Sequence, residues 1–198
     1  LPVDAALAAG DAGSRNLLTE SWCSQLVAPL RSGLQALGLL SKDAVAVQCT
    51  RFRKTLDCNW KVPYHQDLSI PVSGRVAHTA LSGWSMKQDG WYVQPPVELL
   101  DGLLAARLHL DPCGDDDGAL RVVPETHRLG RISPERIAAM DKRRDEVVCS
   151  ADPGDLLLMR PMLLHASSKA ERPSGRRVLH FLFAPPDPGC GLQWRVSV

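Results

Sequence analysis

Leu17, Leu18, Trp22, Leu26, Leu30, Leu34 and Leu37 recur at steps of three and four residues. One apolar stripe at that spacing predicts helix over about 16–40, with Gly33 as a candidate break, and the stripe is expected to pack on a sheet. From Ala44 to about Thr55 the pattern shortens to Val, Phe and Thr, which predicts a strand. Its alternation puts Val45, Val47, Cys49 and Arg51 on one face and Ala46, Gln48, Thr50 and Phe52 on the other. Asp57-Cys58-Asn59 reads as a turn into Trp60 and a further strand, Tyr64-His65-Gln66-Asp67-Leu68-Ser69-Ile70-Pro71. In extended chain His65 and Asp67 point one way. Tyr64, Gln66, Leu68 and Ile70 point the other, toward a packed face.

Pro71 to Gly90 reads as an irregular connection punctuated by Gly74, Gly83 and Gly90. Such a loop beside a site is usually a binding loop or lid. A helical turn is predicted from Val97 to about Asp101, then strands over 103–111 and 119–123. Asp115-Asp116-Asp117-Gly118 lies between those strands and predicts a hairpin turn; the twelve-residue ligand pattern of a calcium loop is missing. Ser133 caps a helix with Pro134 at its first position, running to about Arg144. Further strands fall at 147–148, 155–159, 162–165 and 176–183. About eight short strands separated by Gly, Pro and Asp turns predict a mainly β fold with flanking helices, a sandwich or jelly roll rather than βαβ units. A single domain is expected over 1–198, with 16–40 as helical support and 44–184 as the β core.

Composition narrows the function classes. The 198 residues carry a net charge of +1, without the basic stripe of a nucleic-acid binder or the basic cluster of a membrane anchor. No apolar run approaches the ~18 residues of a membrane span. The six cysteines are scattered with no Cys-x-x-Cys pair, which argues against structural zinc and for free thiols in a reducing cytoplasm. The chain opens on Leu1 rather than Met, read as a trimmed or incomplete N-terminus. Leu1 to Gly10 lacks the positive start and long apolar core of a signal peptide.

The chemistry centres on His65 and Asp67, two members of a 2-His-1-carboxylate triad that binds one face of Fe(II) and leaves positions open. His109-Leu110-Asp111 is a rival pair, but Asp111 suits a turn, and His127 sits in a Pro-Glu-Thr-His-Arg loop. His165 closes the apolar run Met162-Leu163-Leu164, where a histidine is either a satisfied core group or a ligand. Arg176, eleven residues on, favours the ligand reading. Antiparallel neighbours joined by that connection would bring both to one end of a sheet. A metal beside a guanidinium suits a co-substrate that chelates at one end and carries a carboxylate at the other.

Asn59-Trp60-Lys61-Val62-Pro63-Tyr64-His65-Gln66-Asp67, Val93-Gln94-Pro95-Pro96, Leu108-His109-Leu110-Asp111, Pro124-Glu125-Thr126-His127-Arg128 and the His165 to Arg176 spacing resemble, in this order, the phytanoyl-CoA dioxygenase family. The resemblance covers roughly 44–184. It implies a double-stranded β-helix (a cupin-like jelly roll) and dependence on Fe(II) and 2-oxoglutarate. It implies iron ligation by His65, Asp67 and His165, and 2-oxoglutarate binding by Arg176, with Ser167 and Asn59 as hydrogen-bonding candidates. Related halogenases lack the carboxylate, so Asp67 favours hydroxylation. Three departures stand out: Tyr64 where relatives often have Trp, Arg53-Lys54 where bacterial members have Asp-Lys, and Arg107 where some relatives place an aromatic residue near the co-substrate.

The expected function is hydroxylation of a small molecule with O₂, releasing succinate and CO₂. The alternative is a non-catalytic or differently metallated cupin-like binding protein. Of the adjacent arginines, alternation assigns Arg176 inward with Val178, His180 and Leu182. Arg177 falls outward with Leu179, Phe181 and Phe183, against the N-terminal helices.

Overall fold

In the structure, a computed structural model that describes residues 13–87, 90–142, 145–172 and 174–198, the N-terminal leucine stripe is helical. After β1 (Gly13–Ser14) and a single 3₁₀ turn (Leu17–Thr19), α1 spans Ser21–Ala36. Gly33 lies inside α1 and does not break it. The stop comes at Gly38, whose φ of 70° is a left-handed conformation. There Leu39 N–H bonds Leu34 O and Gly38 N–H bonds Gln35 O, both at 2.9 Å, a Schellman closure that suits glycine. Leu1 to Gly10 and Arg144, the expected end of the Ser133 helix, lie outside the described residues.

The remaining elements are β2 (Val45–Arg53), β3 (Val62–His65), β4 (Ile70–Val72), β5 (Ser82–Lys87), β6 (Gly90–Gln94), α2 (Val97–Gly102), β7 (Leu104–His109), β8 (Leu120–Val123), α3 (Pro134–Ala139), β9 (Val147–Cys149), β10 (Leu156–Met159), β11 (Leu164–Ser167) and β12 (Arg177–Ala184). They pair antiparallel into three sheets: β1-β2-β12-β7-β10, β3-β11-β8-β9 and the small β4-β6-β5. This is the expected mainly β, cupin-like jelly roll. The Ser133 cap is real, its side chain accepting from Arg136 N–H at 3.2 Å, but α3 ends at Ala139.

Two cores separate the two faces of the large sheet. Leu179, Phe181 and Phe183 face outward onto Cys23, Val27 and Leu34 of α1. All three are fully buried, and burying each such side chain contributes roughly 1.5–3 kcal/mol. The alternate residues of β12 face inward, so the expected alternation of Arg177–Ala184 holds. On β2 it does not. The register with β12 slips between Leu182↔Gln48 and Phe183↔Ala46, leaving Val47 as the extra residue of a bulge. Ala46 and Cys49 therefore share the outer core while Val47 joins the inner one. One inserted residue reverses the faces beyond it.

Other expectations change at sheet level. Pro71 to Gly90 is irregular only in part: 73–81 carries no strand, but Ser82–Lys87 forms β5, which joins β4 and β6 in the third sheet. The Asp-Gly turn is not a hairpin, because β7 and β8 lie in different sheets. The turn carries the chain from one layer to the other. β11 and β12 are likewise in different sheets, so His165 and Arg176 approach across the barrel rather than as strand neighbours.

Candidate metal centre

β3 and β11 pair with His165 opposite His65, which sets the two imidazoles side by side, with ring centroids 4.2 Å apart. Each ring is fixed in the same way. His65 Nδ1 lies 2.9 Å from Pro63 O, and His165 Nδ1 lies 2.8 Å from Leu163 O. A carbonyl accepts only from N–H, so both Nδ1 atoms carry a proton, and Nε2 is the nitrogen that each ring in its neutral form offers to a metal. Those Nε2 atoms face the two oxygens of Asp67, at 3.5 Å from Oδ1 and 3.6 Å from Oδ2. One donor atom from each residue falls within 4.8 Å of the others. Two pinned imidazoles and a carboxylate fit the triad chemistry of Fe(II), including the carbonyl contacts that orient ligating histidines.

Asp67 itself is not on a strand. β3 ends at His65, and the following backbone is held by Asp67 N–H bonding Pro161 O at 2.8 Å. Gln66 secures the bend. Buried at 7% exposure, its amide donates to Gly130 O (2.8 Å) and Met162 O (2.7 Å) and accepts from Ile132 N–H (2.8 Å). Thr126 does the same for β11, donating to Val123 O at 2.7 Å and accepting from Leu164 N–H at 2.9 Å. The Pro-Glu-Thr-His-Arg stretch thus acts through its threonine, as a brace behind His165.

The protons of the site follow from these contacts. Burial opposes charge on Asp67, but His165 and the hydrogen bond from His65 outweigh it and hold its carboxyl well below the usual range. Burial also opposes charge on His65, but Asp67 overcomes it and raises its pKa. His165 is more deeply buried, and its pKa is lowered despite Asp67.

The triad opens on a cavity of about 420 Å³ between the two larger sheets. Its floor is the inner face of β2, β12 and β7, where the register sets Thr50, His180 and Arg107 in one row. At the end of that face Lys54, Ser167 and Arg176 converge on the cavity. Lys54 Nζ donates to Ser167 Oγ at 3.3 Å and to Ser168 O. Arg176 donates to Gly118 O at 2.9 Å and Asp117 O at 3.3 Å, so the triple-aspartate turn serves to aim this guanidinium. Gly118, at φ 68°, permits the approach: a Cβ there would meet Ser168 O at 2.6 Å and Lys54 Nζ at 2.7 Å. Burial, then the charge of Arg176, lowers the Lys54 pKa to about 8. Burial likewise brings Arg107 down to about 10. Arg177 faces away and is fully engaged by Asp111, with three bonds of 2.8 Å.

A family model for phytanoyl-CoA dioxygenase (PhyH) matches residues 9–178. The chain belongs to the phytanoyl-CoA dioxygenase family. No match was found among curated proteins. Solved structures share the fold at low identity. EctD from S. alaskensis, in its apoform, superposes with TM-score 0.64 at 18% identity over 89% of this chain and 58% of its own. HygX from Streptomyces hygroscopicus, with nickel and 2-oxoglutarate bound, gives 0.62 at 14% over 92% and 73%. EvdMO1 gives 0.61 at 20% over 92% of this chain, which spans only 37% of EvdMO1.

Within this phytanoyl-CoA dioxygenase fold, His65, Asp67 and His165 come together, and Arg176 and Ser167 line the same cavity. Asn59 does not join them. Both ends of its amide bond the backbone of Ala170, at 2.8 Å each, so it clamps the loop after Ser167. The rival His109 is buried on β7, 2% exposed, and takes no part in the triad. His180 lines the cavity, as the alternation over 176–182 expects, and Lys54 is a cavity residue that spacing arguments did not single out. The signal was available for Lys54, which continues the inward alternation Gln48, Thr50, Phe52. Among the described residues no helix is long and apolar enough to cross a membrane.

Proposed function

We propose that this protein is an Fe(II)- and 2-oxoglutarate-dependent oxygenase that hydroxylates a small molecule. The observation that carries the reading is the pair of imidazoles with both Nδ1 atoms tied to carbonyls and both Nε2 atoms turned on Asp67. Iron bound there would supply oxygen activation, coupled to oxidation of 2-oxoglutarate to succinate and CO₂. His65, Asp67 and His165 would hold one face of the metal and leave the cavity side open. Arg176 would take the distal carboxylate of 2-oxoglutarate, with Lys54 adding charge and Ser167 a hydroxyl. Gln66 and Thr126 keep the ligands in register. The six free cysteines fit a reducing, cytoplasmic setting.

The test is succinate release from 2-oxoglutarate by Fe(II)-loaded protein, with and without candidate substrates. Wild type is expected to release succinate, and His65→Ala and His165→Ala to lose both metal and turnover. Protein that holds metal and 2-oxoglutarate yet never forms succinate would instead be a binding protein.

A further inference from the structure

Arg107, a buried cation of the cavity, makes no ion pair among the described residues. Arg107 is 9% exposed. Among the described residues its guanidinium has one hydrogen-bond partner, His180 Nδ1 at 3.1 Å, and its Nε has none. A neutral imidazole satisfies one donor without pairing the charge, Asp67 acts on it only without contact, and a buried charge is costly until something pairs with it. The face of Phe52, 5.4 Å from the Arg107 Cζ, offers only a weak cation–π contact.

The co-substrate does not meet this need. On the oxygenase reading, one carboxylate of 2-oxoglutarate goes to the metal and the other to Arg176, Lys54 and Ser167. Arg107 pairs in register with His180, four residues along β12 from Arg176, about 13 Å of strand. Among the described residues, the basic side chains of Arg15, Lys54, Arg107 and Arg176 line the cavity with one carboxylate, that of Asp67. A divalent metal and a dianionic co-substrate cancel each other and leave that excess standing. The volume of about 420 Å³ also leaves room beside a five-carbon diacid.

We propose that Arg107, oriented by His180, receives a carboxylate of the prime substrate, which is therefore a small carboxylic acid rather than a neutral or cationic molecule. The inference rests on the oxygenase reading and narrows its substrate class. A planar fork flanked by an imidazole matches a carboxylate in a way a lysine would not.

The experiment uses protein loaded with Zn(II), which blocks turnover, and saturated with 2-oxoglutarate. Propionate, propionamide and propylamine are then titrated in, read by the fluorescence of Trp60, which lines the cavity, and by calorimetry. Propionate is expected to saturate the wild type without displacing 2-oxoglutarate, and the amide and amine not to bind. Arg107→Gln should weaken propionate about tenfold or more while leaving 2-oxoglutarate affinity unchanged. Arg107→Lys should fall between, keeping charge without the fork, and it decides the matter should the Gln variant not fold. Apo Arg107→Gln should melt no lower than wild type, whereas a purely structural cation predicts a lower Tm. Failure of propionate to saturate wild type, equal binding to Arg107→Gln, displacement of 2-oxoglutarate, or loss of 2-oxoglutarate affinity in Arg107→Gln would each overturn the assignment. Failure of wild type to hold Zn(II) and 2-oxoglutarate would show before propionate is added, and would bring down the oxygenase reading and this inference together.

Discussion

Gln66 stands between two proposed metal ligands without touching the metal, and replacing it tests how the site is built. Gln66→Ala removes three hydrogen bonds of 2.7–2.8 Å. It leaves the carbonyls of Gly130 and Met162 and the N–H of Ile132 without their partner. At about 1 kcal/mol for each bond, the loss is about 3 kcal/mol. For a chain of this size each kcal/mol lowers Tm by roughly 2–4 °C, so a drop of about 6–12 °C is expected. The bend from His65 to Asp67 then rests mainly on Asp67 N–H to Pro161 O. Metal affinity should fall about 10- to 100-fold, as it does when a group that orients metal ligands is lost. Scanning calorimetry of the apo protein and a Zn(II) competition titration measure the two effects. Gln66→Glu should be worse on both counts, since it sets a carboxylate against two carbonyl oxygens. A variant that loses the expected stability but binds Zn(II) like wild type would refute the reasoning, because the bend would then hold its geometry without Gln66.

The two adjacent arginines should separate cleanly. Arg176→Ala is expected to weaken 2-oxoglutarate by about 30-fold to several thousandfold, since losing the buried partner of a carboxylate costs roughly 2–5 kcal/mol. Arg177→Ala should instead lower Tm and spare the affinity, as its guanidinium serves Asp111; calorimetric titration of both variants would expose a reversed order. Lys54, with its pKa near 8, predicts a pH dependence: below that value it carries charge and attracts the co-substrate carboxylate, and above it the charge is lost. The Kd for 2-oxoglutarate should rise between pH 7.5 and 9 in wild type and stay flatter in Lys54→Met. Because the folded pKa lies below the unfolded value of 10.5, apo stability should climb as pH rises from about 8 toward 10.5. Gly118→Ala should weaken 2-oxoglutarate binding, since its Cβ collides with Ser168 O and Lys54 Nζ in a left-handed conformation costing about 1–2 kcal/mol. His109→Ala should retain Zn(II) in the same competition titration, and loss of metal there would mean that the wrong His-x-Asp pair was chosen.

What could be read in advance was local. The leucine spacing of α1, the cap at Ser133 and the inward set Arg176, Val178, His180 and Leu182 depend on a helix period or a strand alternation, which neighbours in sequence determine. His65 and Asp67 were visible because two residues are enough to set two side chains together. The order of strands in the sheets was not visible, since backbone hydrogen bonding between strands carries little side-chain signature. So β7 and β8 were read as a hairpin, although the Asp115–Gly118 turn is a crossover whose carbonyls aim Arg176. The bulge at Val47 was hidden for a related reason: an inserted residue shows only against its partner strand, here β12. Asn59 was misread because its amide partner, Ala170, is far away in sequence. The histidines themselves were legible, but their tautomers and convergence were not. The pairing of β3 with β11 sets His65 opposite His165, and a carbonyl two residues behind each ring fixes which nitrogen faces Asp67. Residue type and period supplied the candidate ligands; sheet pairing decided that they meet.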